Sequence, residues 1–355
     1  MEEMCMRRLW VLLVVLAIPF LMHETTSSWA QAPVTLNGAG ATFPFPLYSK
    51  WSQVYAAEKG VRINYQSIGS GGGIRQFIAK TVDFGASDSP MTDEQIRQAG
   101  GRVLHIPTVA GAVVPVYHIP GVGPGLNFTG EVLADIFLGK VTRWNDPRIT
   151  KLNPNVNLPS AEIVVVHRSD GSGTTAIWVN YLSKVSKEWK EKVGEGTSVE
   201  WPTGLGGKGN EGVAGLVRGT PYSLGYVELA YAVTNRMTFG KVRNKAGQFI
   251  NPSLSSTTKA MEGALPTIPE DYRAFFTNPE GRDAYPIAGF TYLLIYGEQP
   301  DPVKGKALVE FLWWAIHDGQ KYAPPLLYAP LPKSLVQRLE KTLRTVTSGG
   351  KPLLP

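Results

Sequence analysis

"IVVVHRSDGSGTT", residues 163–175, decides the fold. Ile163 to Val166 form an apolar, β-branched run that reads as a strand, and "AIWVNYL" from Ala176 onward reads as a helix. Between them, residues 168–175 crowd together a fixed cation, a carboxylate, two glycines and several hydroxyls. A strand that passes through a glycine turn into a helix is the unit from which α/β folds are built.

The same order appears upstream. "VTLNGAGATFPFP" is a short strand pattern running into a glycine turn, followed by Leu47, Tyr48, Trp51, Val54 and Tyr55 at helical spacing. Pro44 and Pro46 suit the opening of that helix, because first-turn amides have no internal partner to lose. "VRINYQ" alternates as a strand, "SIGSGGG" turns, and "IRQFIAKTV" puts Ile74, Phe77 and Ile78 on one helical face. "VDFGASDSP" reads as a buried strand with its loop, and "TDEQ", Thr92 to Gln95, as a capping box.

From about residue 108 proline and glycine become frequent. Downstream come "GEVLADIFLG" as a short helix, the 163–175 unit, the glycine-rich "TGLGGKGNEG" and "SLGYVELAYA". Near the end "YPIAGFTYLLIYG" reads as a buried strand, followed by helices from about Val303 to His317 and Ser334 to Arg344. There is no tandem repeat, which argues against a solenoid.

The chain has 355 residues, 43% of them hydrophobic and 18% charged, enough for a large core divided into two domains. Arg7 and Arg8 ahead of "LWVLLVVLAIPFLM", with "AQA" at Ala30 to Ala32, predict an export signal over residues 1–32. A membrane anchor is the competing reading, but the run is shorter than a span needs and carries Pro19. Cys5, the only cysteine, would leave with the signal, so neither disulfide nor thiol chemistry is expected. The net charge is +6, and without residues 1–32 there remain 33 basic and 26 acidic residues. Such a balance favours anionic partners in general, yet no basic run tracks a nucleic acid. "KVSKEWKEK", mixed in sign, reads as a solvated helical face.

"GAGATF", "GSGGG" and "DGSGTT" share one design: glycines and hydroxyls between strand and helix, where free amides and the positive dipole end meet. Such ends bind anions. One glycine turn is ordinarily just a turn; three of them, one adjoining Arg168, point to an anion site. Arg168 offers a charge that does not titrate and a planar fork suited to an oxyanion, or alternatively a structural ion pair. Asp170 either orients Arg168 or opens the following helix.

Enzymatic patterns are mostly missing. "GLGGKG", Gly204 to Gly209, satisfies G-x-G-x-x-G but follows "EWPT" in place of an apolar strand, and Lys208 is followed by glycine where a phosphate loop needs serine or threonine. "GASDS" lacks the last glycine of a nucleophile elbow. His105, His118, His167 and His317 stand alone, without metal-ligand spacing. No cofactor, metal or catalytic residue is expected. A secreted phosphatase or other hydrolase on the same pocket would need a nucleophile with its base, or a metal.

Taken together, "LNGAGATFPFPLYSKW", "INYQSIGSGGGIRQFIAKTVDFGASDSPMTDEQ", "VVHRSDGSGTTAIW", "GKGNEGVAGLV" and "SLGYVELAYA" resemble the periplasmic phosphate-binding proteins of phosphate-specific ABC uptake systems, from about residue 36 to the C-terminal helices. The resemblance implies the type II binding-protein fold: two α/β domains joined by two hinge strands, closing on one anion. The expected division is 33–107 plus 289–355 for one domain and 108–288 for the other. Carried over by position, the phosphate ligands are Thr42, Phe43 through its backbone amide, Ser70, Asp88, Arg168, Ser172, Gly173 and Thr174. Asp170 matches the carboxylate paired with the arginine. Gly71 stands where many members have a second serine, so one supporting hydroxyl is lost. The implied partners are inorganic phosphate and the permease and ATPase subunits of an importer. The implied state is a monomer in the periplasm.

Asp88 sharpens the ligand. A carboxylate facing a bound dianion is tolerable only if the anion brings a proton, which hydrogen phosphate has and sulfate lacks. Sulfate, molybdate and tungstate are disfavoured on that ground; arsenate shares phosphate's shape and protonation. An extracellular scaffold that keeps phosphate binding is a further alternative that surface charge does not address.

Overall fold

Strand and helix alternate as the apolar patterning predicts in the computed structural model, which describes residues 33–355; the expected export signal lies outside them. The first third reads β1 (Thr35–Gly40), α1 (Phe45–Lys59), β2 (Arg62–Ser67), α2 (Ser70–Ile78), β3 (Phe84–Ser87), α3 (Asp93–Ala99) and β4 (Val103–His118). The middle contains β5 (Asn127–Phe128), α4 (Gly130–Phe137), α5 (Pro147–Thr150), β6 (Val164–Arg168), α6 (Gly173–Val185), α7 (Lys187–Lys192), β7 (Leu205–Gly207), α8 (Gly209–Gly219), β8 (Ser223–Glu228) and α9 (Leu229–Thr234). After β9 (Thr238–Phe239), β10 (Lys241–Arg243), β11 (Phe249–Ile250) and α10 (Leu254–Ala264) come β12 (Ala288–Tyr296), α11 (Pro302–Ile316) and α12 (Lys333–Arg344).

Local chemistry sets the helix ends. Pro44 caps α1 and Pro46 lies in its first turn, where neither removes a helical hydrogen bond. Thr92 and Gln95 exchange both bonds of the capping box that opens α3. Ser172 caps α6 by accepting from Thr175 N at 2.9 Å, which settles which residue of "SDGS" opens that helix.

The main sheet runs β2-β1-β3-β12-β4-β8-β6-β7, with β9 also on β4. β1 pairs in parallel with β2 and β3, and β6 in parallel with β7 and β8. The antiparallel strands β12 and β4 lie between these two parallel groups. β4 changes partner along its length: Val103 to Ala112 pair with β12, and Val113 to His118 with β8. It passes unbroken through residue 107, where Pro107 sits at a register slip against Thr291 and Tyr292; a bulge is where a strand accepts a proline.

Each parallel group packs an aromatic cluster. Tyr48, Trp51 and Tyr55 of α1 meet Phe311 and Trp314 of α11. On the other side Phe137, Trp178, Trp201 and Tyr226 pack together, with Trp178 stacked on Tyr226 at 4.9 Å. Trp51 and Trp178 are wholly buried, and truncating such a residue to alanine costs roughly 3–5 kcal/mol. In α7 only Trp189 turns inward; its charged residues pair at the surface, as the mixed-sign reading predicts. Among the described residues no helix is long and apolar enough to cross a membrane.

Candidate functional site: an enclosed anion pocket

The carboxyl ends of β1, β3 and β6 deliver their next residues to one place, the position where open α/β sheets bind ligands. β1 leads to Thr42 and Phe43, β3 to Asp88, and β6 ends on Arg168. All four residues are buried, as are Ser70, Ser172 and Thr174.

The first residues of α2 and α6 touch. Ser70 Oγ accepts from Gly173 N at 3.0 Å and from Asp88 N at 3.2 Å. Beside them Gly71 N donates to Gly171 O at 2.9 Å. The contact depends on glycine. A Cβ on Gly173 would lie 2.6 Å from Asp88 Cβ, from Asp88 Oδ2 and from Ser70 Oγ. Gly69 has φ +86°, and a Cβ there would lie 2.3 Å from Asp170 Oδ2. A Cβ on Gly71 would lie 3.0 Å from Gly171 Cα across the junction and 3.5 Å from Arg75 Nη1.

Arg168 is gripped by Asp170 through a two-point bridge, Nε to Oδ1 at 2.7 Å and Nη2 to Oδ2 at 2.6 Å. Asp170 also accepts from Gly209 N at 3.0 Å. Burial works to raise the Asp170 pKa, but the guanidinium and the Gly209 amide outweigh it and hold it below the usual carboxylate range. The Arg168 backbone is held as well, its N–H donating to Tyr226 Oη, which is 2.6 Å from Thr175 Oγ1.

Among the described residues, four buried polar atoms in and around this site lack a hydrogen-bond partner: Glu228 Oε1, Thr291 Oγ1 and the two that bear on an anion, Arg168 Nη1 and Asp88 Oδ1. Leaving such groups unpaired costs about 1–3 kcal/mol each, more when charged. Burial pushes the Asp88 carboxyl up to about 7, although the Arg168 charge pulls it down. Arg168 Nη1 is thus a donor with nothing to give to and Asp88 Oδ1 an acceptor with nothing to accept from, close enough for the charge of the first to act on the second.

Several contributors were not read from the sequence. Asn210, the second residue of α8, reaches both Thr42 Oγ1 and Thr174 Oγ1 with its side-chain amide. Tyr231 Oη donates to Thr42 O at 2.5 Å and Tyr328 Oη to Phe43 O at 2.6 Å, fixing the peptide planes of that loop. Glu228 Oε2 lies 3.1 Å from Tyr328 Oη and accepts from Ala230 N, and burial drives its pKa well above the ordinary value. The signal available for Asn210 was "GGKGNEG": the dismissed glycine motif is a short strand, β7, that turns into the fourth helix N-terminus of the pocket. The isolated histidines stay apart, His105 accepting from Met91 N and His317 pairing with Glu340.

Fold and site together define a class: a two-domain type II binding protein with buried polar groups gathered where its strands end. A family model described as a PBP superfamily domain matches residues 25–318. The chain is 49% identical over 336 residues to the phosphate-binding protein PstS of Pasteurella multocida, covering 94% of this chain and 97% of that protein. It belongs to the PstS family of phosphate-binding proteins. The fold also matches a putative phosphate ABC transporter substrate-binding protein with bound phosphate from Clostridium perfringens, at a TM-score of 0.61 and 19% identity over 84% of this chain and all of that one. A high-affinity periplasmic phosphate-binding protein bound with phosphate superposes with a TM-score of 0.70 at 19% identity, covering 87% of this chain and 93% of that one.

Proposed function

We propose that the pocket takes up one inorganic phosphate in the periplasm and that the loaded protein hands it to the permease and ATPase subunits of an ABC importer. The observation that carries this reading is the pair of unsatisfied buried atoms, Arg168 Nη1 and Asp88 Oδ1. Hydrogen phosphate completes both: an anionic oxygen accepts from the guanidinium, and the P–OH donates to the carboxylate. The remaining oxygens accept from Thr42, the Phe43 amide, Ser70, Ser172, the Gly173 amide and Thr174. Charge-assisted bonds of this kind contribute roughly 1.5–3 kcal/mol each. Asp170 keeps the Arg168 fork planar to the anion, and Gly71 leaves the α2 turn narrow enough to meet Gly171.

In this reading residues 33–107 with 289–355 form one lobe and residues 108–288 the other, with β4 and β12 crossing between them. Thr42, Ser70 and Asp88 belong to the first lobe, and Arg168 with Ser172 to Thr174 to the second. The segment over residues 1–32 serves as the export signal, and the protein acts by binding, with no turnover of its ligand.

The test is calorimetric titration of the phosphate-stripped protein with phosphate, sulfate and molybdate at pH 8. Tight binding of phosphate and weak binding of the other two is expected. Indifference to phosphate, or equal affinity for sulfate, overturns the reading, and release of phosphate from a chromogenic ester by the same preparation would move it to the hydrolases.

A further inference from the structure

Asn210 is buried and lies outside the set of residues assigned to the anion. Its bonds are unusual in their distribution. Nδ2 donates to Thr42 Oγ1 at 2.8 Å and to Thr174 Oγ1 at 3.0 Å. Its backbone N–H donates to the same Thr42 Oγ1 at 3.2 Å, and Oδ1 accepts from Glu228 N at 2.9 Å. Both protons of one side-chain amide are therefore given to two threonine hydroxyls, one on each side of the pocket.

A hydroxyl has two acceptor lone pairs and one proton to donate. Thr42 Oγ1 accepts twice from Asn210, so both of its lone pairs are engaged and only its proton is free. Thr174 Oγ1 accepts once from the same amide. The amide cannot be turned over to reverse these roles, because its oxygen is committed to Glu228 N–H. Flipping it would set a carbonyl against both threonines and an N–H against an N–H.

We propose that Asn210 is a positioning residue that makes Thr42 an obligate donor to the bound phosphate, biases Thr174 toward donating by filling one of its two lone pairs, and couples the two sides of the pocket through one amide. This rests on the phosphate reading above. A hydroxyl free to rotate can present a lone pair to an anion, which is repulsive; a hydroxyl whose lone pairs are filled presents its hydrogen. The arrangement is preorganisation in the sense that the orientation cost is met before the ligand arrives.

The experiment is a set of double-mutant cycles read by calorimetric phosphate affinity. In the native chain Asn210→Ala weakens phosphate binding about tenfold to a hundredfold, equivalent to about 1.4–2.7 kcal/mol. In a Thr42→Val background, and separately in Thr174→Val, the same change costs at least about threefold less, because the hydroxyl it acts through is gone. Asn210→Asp keeps the shape and the acceptor for Glu228 N–H but replaces the donor with an acceptor, so it weakens binding at least as much as Asn210→Ala. A role in packing alone predicts the opposite order. Thermal unfolding of each phosphate-free variant reports whether it folds. Equal cost of Asn210→Ala in all three backgrounds, or an Asn210→Asp variant that binds like the native chain, overturns the inference while leaving the phosphate reading intact. Failure of the native chain to bind phosphate overturns both.

Discussion

At the scale of the single residue the proposed chemistry turns on Asp88. Its carboxyl is pushed up to about 7 by burial, so near neutral pH it exists in both forms. Above that pH the carboxylate repels sulfate, which has no proton to offer; below it the protonated acid can itself donate to a sulfate oxygen. Sulfate affinity of the native protein is therefore expected to improve about tenfold per unit as pH falls from 8.5 toward 7 and to level off below, since only the protonated fraction is competent. Asp88→Asn, whose amide donates at every pH, should bind sulfate with little dependence on pH and prefer phosphate less. Competition titrations at pH 6, 7 and 8 measure both, and a flat profile in the native chain would count against the role of the carboxylate. Single residues differ in how far the sequence reveals them. Arg168 and Asp170 were legible because a fixed cation two positions from a carboxylate, inside a glycine turn, is a local pattern. Asn210, Tyr231 and Tyr328 act on residues 168, 189 and 285 positions away in the chain, and nothing in their immediate neighbours marks that distance.

At the scale of the element, four helix N-termini meet: α1 through Thr42 and Phe43, α2 through Ser70, α6 through Gly173 and α8 through Asn210. Each brings the positive end of its dipole, about half a charge, so their sum favours an anion before any side chain is counted. Three of these turns were readable from glycine and hydroxyl spacing. The fourth was not, because β7 is three residues long and largely exposed and so lacks the apolar run that marks a strand. The length of β4 was hidden for a related reason: Pro107 and Pro115 break the pattern that would have announced a 16-residue strand, and Pro107 fits only because it sits at the register slip against β12. The meeting of α2 and α6 is tight enough to test. In Gly173→Ala the new methyl would strike Asp88 and Ser70 at 2.6 Å, and overpacking of this kind costs about 1–3 kcal/mol. Phosphate affinity is expected to fall about tenfold to a hundredfold, while the melting temperature of the phosphate-free protein stays within about 2 °C, because an open cleft does not bring those atoms together. Calorimetry and thermal denaturation on the same preparation separate the two effects. Unchanged affinity would mean that this contact is not part of the bound state.

For the whole molecule the question is what holds the two sides of the cleft together. The direct bonds across it include Gly71 N to Gly171 O, Gly173 N to Ser70 Oγ, Asn210 to Thr42 Oγ1, Tyr231 Oη to Thr42 O and Tyr328 Oη with Glu228 Oε2, and farther from the pocket Arg273 bridges to Asp93. At about 1 kcal/mol net apiece, they are opposed by burying Asp88 and the Arg168 Nη1 donor without partners. A ligand that satisfies both buried groups removes that cost and so favours the closed arrangement. A ligand shifts such an equilibrium only by its difference in affinity for the two states, and phosphate bound as proposed would touch both lobes and so have that difference built in. β4 and β12 lie between the parallel strand groups, so under the proposed division a small rotation about these two strands would open the cleft without breaking either core. Solution X-ray scattering at pH 8 is expected to show a smaller radius of gyration with phosphate than without it. Sulfate at the same concentration should leave the profile of the native chain unchanged, because the unprotonated Asp88 rejects it. In Asp88→Asn both anions should compact the molecule. Identical profiles with and without phosphate, under conditions where calorimetry shows the site filled, would mean that the anion enters a cleft already closed, and that whatever the importer recognises is not this change of shape.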